Sequence, residues 1–119
     1  MLALVVEDDA SLRVIYQRVL EPLGFQVVEA IDGAEALAFL EKNTPDIIFL
    51  DMLLPNVNGV IVLNYIAAEP RLQTALTVIV SSNKQFERMQ QPNLRVKFIL
   101  KPIRPTEIRE LATQVLQGG

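Results

Sequence analysis

A chain of 119 residues, half of them apolar and 21% charged, with a net charge of −3, has the size and balance of one globular domain spanning residues 1–119, long enough to bury a core without a disulfide or metal staple. It contains no cysteine and no histidine, which excludes disulfide frameworks, thiolate nucleophiles, Ser-His-Asp machinery and His- or Cys-ligated metals, and leaves carboxylates, hydroxyls, amines and the backbone. The negative charge argues against nucleic-acid binding by this domain, no apolar run approaches the roughly 18 residues of a membrane span, and the N-terminal apolar run meets acids where a signal peptide would not, so a cytoplasmic protein is expected.

Apolar runs and helical patterns alternate along the chain. Leu2 to Val6 is a short continuous apolar run, as in a strand covered on both faces. Leu12, Ile15, Val19 and Leu23 follow at helical spacing, and Gly24 stops that helix. Residues 25 to 30 predict a second strand. Asp32 can cap a helix from 33 to about 43, with Leu37 and Leu40 inward. Thr44-Pro45-Asp46 then leads into Ile47-Ile48-Phe49-Leu50, the most apolar strand. Val60, Leu63 and Ile66 predict a third helix ending before Pro70. Residues 76 to 80 predict a fourth strand and 96 to 100 a fifth. Between them, 84 to 95 is polar, contains Pro92 and leaves room only for a short or irregular fourth helix. Pro105 suits the first turn of a final helix whose inner face is Ile108, Leu111, Ala112 and Val115.

Five strands alternating with helices imply an α/β fold: a doubly wound parallel sheet with helices on both faces. Such sheets bind ligands beyond the carboxyl ends of their strands. Here those ends are loaded. The first strand ends in Glu7-Asp8-Asp9, the third in Asp51, the fourth in Ser81-Ser82 and the fifth in Lys101-Pro102. Two like charges about 4 Å apart repel by roughly 4 kcal/mol at an effective dielectric near 20. Lys101 supplies one counter-charge, and a hard divalent cation with oxygen ligands is the natural second. A carboxylate can attack phosphorus, and the protein's share of that work is positioning and neutralising oxygens, so the rim suggests phosphoryl transfer. Each residue alone has a plainer role: Asp9 a helix cap, Asp51 a turn former, Ser82 a loop hydroxyl, Lys101 a solvated charge. Their joint arrival at successive ends of one sheet is what argues for a site.

These residues resemble the receiver domain of bacterial two-component response regulators. Val5-Val6-Glu7-Asp8-Asp9 is similar to the family's opening strand and acid pair. Phe49-Leu50-Asp51, with Pro55 and Gly59 beyond, is similar to its phosphoacceptor strand and loop. Val78 to Ser82 resembles the strand that delivers a Ser or Thr, and Leu100-Lys101-Pro102 the Lys-Pro ending. The resemblance implies the flavodoxin-like strand order 2-1-3-4-5 and a phosphoprotein of the two-component phosphorelay. It implies Asp51 as phosphoacceptor, with Mg²⁺ held by Asp8, Asp51 and the Leu53 carbonyl and by Glu7 through water. Lys101 would hold a phosphoryl oxygen, Ser82 would close on the phosphoryl group, Phe98 would occupy the mobile-aromatic position, and the Lys101-Pro102 bond would be cis. A histidine kinase or histidine phosphotransfer protein is the implied donor, and an unidentified output partner or domain the receiver of the signal. The chain departs from the family at Asn83, where a very small residue is usual, at Phe98, which lacks a hydroxyl, and in a shortened stretch from 82 to 101.

Enzyme readings fail on specific residues. A haloacid dehalogenase-like phosphatase needs a second Asp two positions after the nucleophile, where Leu53 stands. A dinucleotide fold needs a Gly-rich turn where Glu-Asp-Asp stands, and no P-loop is present. The resemblance instead implies a signalling domain, not an enzyme, that assists its own phosphorylation and dephosphorylation. The alternative is a receiver-like interaction module that binds partners without phosphorylation.

Overall fold

The computed structural model describes residues 1–88 and 93–118. Strands β1 (Leu2–Val6), β2 (Gln26–Ala30), β3 (Ile47–Asp51), β4 (Leu76–Ser81) and β5 (Arg95–Leu100) pair in parallel in the order β2-β1-β3-β4-β5. Helices α1 (Ala10–Leu20), α2 (Gly33–Leu40), α3 (Gly59–Ala68) and α4 (Pro105–Leu116) connect or follow them. The expected five-stranded parallel sheet in the order 2-1-3-4-5 is present. The chain leaves β1 toward β2 on one side and returns to β3 on the other, so the order reverses between β1 and β3. Their carboxyl ends, with Val6 paired to Leu50, open onto the crevice where α/β sheets bind ligands.

Alternation along the central strands divides the core into two layers. Ala3, Val5, Phe49, Val78 and Val80 pack with Tyr16 and Leu20 of α1 and Ile108 and Ala112 of α4. Leu4, Val6, Ile48, Leu50 and Ile79 pack on the other face with Ala36 and Leu40 of α2 and Val62 and Ile66 of α3. Every residue of β3 is buried, which is why its sequence is a continuous apolar run that ends in one acid.

Local outcomes differ from the sequence expectations in two helices. In α1 Tyr16 points inward, buried with its ring 4.9 Å from that of Phe49 and tilted by 50° to it, whereas Ile15 is exposed. The helix gives way at Leu20 to a 3-10 turn, Glu21–Leu23, closed by Gly24 at φ 98°. Helix α2 stops at Leu40 rather than near Asn43, because Arg71 donates to the Leu40 and Asn43 carbonyls and Asn43 Nδ2 donates to the Phe39 carbonyl. These side chains satisfy carbonyls that further helical turns would otherwise use. The expected short fourth helix is a 3-10 turn, Lys84–Arg88, and residues 89–92 of that expectation lie outside the described residues.

Candidate functional site

Glu7 and Asp51 emerge from adjacent strands and both are buried, at 1% and 4% exposure, while Asp8 is exposed. Carboxylate oxygens of the three lie within 4.8 Å of one another. Asp9 stands outside this group: it is the N-cap of α1, accepting from the Leu12 N–H. Its own N–H donates to Glu7 Oε2 at 3.1 Å. At that separation each pair of ionised carboxylates repels by about 3–4 kcal/mol at an effective dielectric near 20. Positive charge beside the cluster, or a proton on one of its members, offsets this repulsion.

Lys101 provides that charge from two strands away. Its Nζ lies 3.1 Å from Asp51 Oδ2 and 3.3 Å from Glu7 Oε1. The approach to Glu7 lacks hydrogen-bond alignment, so Glu7 Oε1 is a buried oxygen with no hydrogen-bond partner. The lysine is placed by the ladder: its N–H donates to the Ser81 carbonyl at 2.9 Å. The Lys101-Pro102 bond that follows is cis, as the resemblance implied.

Charge and burial shift the titration of the group. Burial, joined by the charge of Asp51, pushes the Glu7 carboxyl up to about 7, against the pull of the Asp9 N–H and Lys101. Burial opposes the Lys101 ammonium, but the hydrogen bond and charge of Asp51, with Glu7 behind it, outweigh this and hold its pKa above the usual lysine value. Tyr16 is pushed up too, by burial first and then by the charges of Glu7 and Asp51.

Asp51 Oδ1 accepts the Leu53 N–H at 3.0 Å, so each oxygen of the carboxylate has a partner and the side chain is fixed. Leu53 itself is 58% exposed. The structure therefore gathers Glu7, Asp8, Asp51 and Lys101 into one contact group, with Leu53 bonded to it through the backbone. Ser82 is exposed and is the first residue beyond β4. Ser81 is the buried serine, and its Oγ accepts the Asn83 N–H at 3.0 Å. Phe98 sits within β5 opposite Ile79, half-buried against the α2–α3 layer rather than in the acid group.

Arg13 is a site residue that the sequence reading passed over. Its Nη1 donates to the carbonyls of Glu7 at 3.0 Å and Asp8 at 2.9 Å, and its Nε lies 3.9 Å from Glu29 Oε1. It pins the backbone that carries the acid pair. A cation one turn into the helix after an acidic loop was the available signal.

An all-oxygen donor set with an under-satisfied buried carboxylate oxygen fits a hard divalent cation rather than a soft metal. The sequence profile of the response regulator receiver domain matches residues 3–113. The chain belongs to this family. As a receiver domain of two-component signal transduction, it is 30% identical over 115 residues to the alkaline phosphatase synthesis transcriptional regulatory protein PhoP of Bacillus subtilis, covering 96% of this chain and 48% of that protein. The receiver domain thus spans about half the length of that relative. The crystal structure of the receiver domain from the hybrid histidine kinase CckA is similar, with a TM-score of 0.75, 29% identity and coverage of 98% of this chain and 100% of that one. The signal receiver domain of a histidine kinase from Syntrophus aciditrophicus superposes with a TM-score of 0.82 at 25% identity, covering 98% and 90% of the two chains. Within this family the Glu7, Asp8 and Asp51 cluster fits the site that binds Mg²⁺.

Proposed function

We propose that Asp51 is the phosphoacceptor of this receiver domain, charged by a histidine kinase or histidine phosphotransfer protein in a Mg²⁺-dependent reaction and signalling through the change of shape that follows. The observation that supports this most is the state of the Asp51 carboxylate: buried, with one oxygen on the Leu53 N–H and the other on Lys101. A nucleophile held in one orientation needs no rotamer search before attack. An Asp51 oxygen forms the new P–O bond as the donor's P–N bond breaks, and the departing imidazole keeps the electron pair and takes a proton from solvent. Charge spreads over the phosphoryl oxygens. Lys101 would hold one of them, and the Ser82 hydroxyl would close on another after transfer. Asp8, Asp51 and the Leu53 carbonyl would hold Mg²⁺ directly, and Glu7 through a water. When bound, that cation supplies positive charge between the carboxylates and the phosphoryl oxygens. Phe98, without a hydroxyl, would follow Ser82 through packing alone.

On this reading residues 1–119 form one receiver domain that assists its own phosphorylation and dephosphorylation and turns over no other substrate. It works in the cytoplasm and does not itself bind nucleic acid or membrane. No helix among the described residues is long and apolar enough to cross a membrane. The output is a partner or a further domain; the Bacillus relative is named a transcriptional regulatory protein, so a transcriptional output is the first to examine. Incubation with acetyl phosphate and Mg²⁺, followed by intact-mass measurement, tests the proposal. One added phosphoryl group, dependent on Mg²⁺, is expected. A chain that gains no mass while remaining folded would instead be an interaction module that works without phosphate.

A further inference from the structure

The loop 52–58 that follows Asp51 is held at both ends. Asn56 has the left-handed backbone conformation at φ 61°, alone among the described non-glycine residues. Its side-chain Nδ2 donates to Asp32 Oδ2 at 2.7 Å. The other oxygen of Asp32 is occupied as the N-cap of α2, accepting the Glu35 N–H at 2.8 Å. One carboxylate therefore serves two elements, and those two donors hold it below the usual aspartate range, Glu35 first and Asn56 second. Beside it, a Cβ on Gly33 would fall 1.9 Å from the Val57 carbonyl oxygen. Only glycine lets the loop lie against the first turn of α2. At the near end, a Cβ on Gly59 would fall 2.5 Å from Met52 Cα and 2.7 Å from the Asp51 carbonyl oxygen. Leu53 lies between these two anchors.

Asparagine suits position 56 for two separate reasons. It tolerates the left-handed conformation better than other residues with a side chain, glycine apart. It also brings a donor, which Asp32 needs; aspartate would bring a second negative charge and glycine nothing. We infer that Asn56 and Asp32 form a latch that docks the phosphoacceptor loop on the N-terminus of α2, sets the Leu53 backbone before any ligand arrives, and makes α2 the first element outside the site to respond to a change at Asp51. Asn56 is a positioning residue in this scheme. The second and third parts rest on the phosphoacceptor reading of Asp51, whereas the docking itself does not.

Amide hydrogen exchange on the metal-free chain tests the latch alone. Asn56→Gly keeps the backbone conformation and deletes the hydrogen bond, so the Leu53 and Val57 amides are expected to exchange about three- to tenfold faster. The exchanged pair Asp32→Asn/Asn56→Asp swaps donor and acceptor at constant net charge and is expected to return those rates toward the parent. Equal exchange in the parent and Asn56→Gly overturns the latch. Beryllofluoride with Mg²⁺ then tests the coupling. The parent is expected to show amide shifts at Gly33, Ala34 and Glu35, reduced at least twofold in Asn56→Gly while the response at Ser82 persists. An undiminished response in α2 overturns the coupling. A parent that does not bind beryllofluoride counts against Asp51 as phosphoacceptor, and the exchange rates still decide the latch.

Discussion

Lys101 reaches past the end of β4 to place its ammonium 3.1 Å from Asp51 Oδ2. Neighbouring strands are about 4.8 Å apart, so a group on β5 must cover roughly twice that to meet one on β3. The long lysine stem does this, and a side-chain exposure of 28% keeps the head partly hydrated.

Removing this cation isolates two buried acids. Lys101→Ala is expected to lower metal-free stability at neutral pH by about 1–2 kcal/mol, a figure reduced from the usual buried-pair loss because the lysine is partly exposed. Urea denaturation measures it. Saturating Mg²⁺ should recover much of the loss, since the metal supplies the missing charge. A loss that Mg²⁺ leaves unchanged would show that the lysine acts through packing rather than charge.

If Glu7 takes part in the proposed Mg²⁺ site, binding is expected to depend on pH. Its folded-state carboxyl is raised to about 7, so it carries a proton below that pH and must release it to join a cation site. Affinity for Mg²⁺ should therefore rise with pH, by roughly tenfold between about pH 6 and about pH 8. The sign for stability without metal is the opposite. The folded state holds this proton more tightly than the unfolded chain, so stability falls as pH rises from the unfolded value through about 7. Calorimetric titration of the parent and Glu7→Gln checks both, and the variant is expected to lose most of the pH dependence of binding.

The two serines after Val80 separate by burial. Ser82 is exposed and able to meet a phosphoryl group, whereas Ser81 is buried with its Oγ on the Asn83 N–H. Ser82→Ala should still accept phosphate yet show a several-fold smaller shift of population toward the phosphorylated shape, as befits one hydrogen bond of about 0.5–1.5 kcal/mol. Backbone amide shifts in Lys84–Arg88, with and without beryllofluoride, report this. If Ser81→Ala rather than Ser82→Ala abolishes the response, the coupling hydroxyl is the buried one.

Gly59 cannot accept a side chain without moving the backbone at the end of β3. Its Cβ would meet Met52 Cα at 2.5 Å, so Gly59→Ala should cost roughly 1–3 kcal/mol of stability, as overpacking does. The displaced backbone also carries Asp51, so phosphorylation by acetyl phosphate should slow as well. Thermal melts and intact-mass time courses check the two effects. A stable variant that phosphorylates at the parent rate would show that the loop can relax freely.

Much of this architecture is legible in the sequence, because continuous apolar runs and helical spacing follow directly from burial on both faces of a sheet. β3 is an unbroken apolar run ended by one acid, and α4 shows its Ile108, Leu111, Ala112 and Val115 face without ambiguity. The acid pair, Asp51 and Lys101 come together as their places at strand ends imply. What escapes the sequence depends on long side chains acting at a distance. Arg71 decides where α2 ends, and Arg13 pins the acid-bearing loop. Ile15 and Tyr16 are adjacent candidates for one inward position, and the aromatic takes it because Phe49 offers a ring partner. The latch of Asn56 on Asp32 joins residues 24 apart, and nothing in local pattern marks that pairing.

The central claim is that Asp51 carries the phosphoryl group as an acyl phosphate. Treating the domain with acetyl phosphate and Mg²⁺, then reducing with borohydride, converts an aspartyl phosphate to homoserine, which peptide mass spectrometry locates. The account predicts homoserine at position 51 in the parent and none in Asp51→Asn. Homoserine at Asp8 or Asp9 of the folded parent, or full modification of Asp51→Asn, would contradict it.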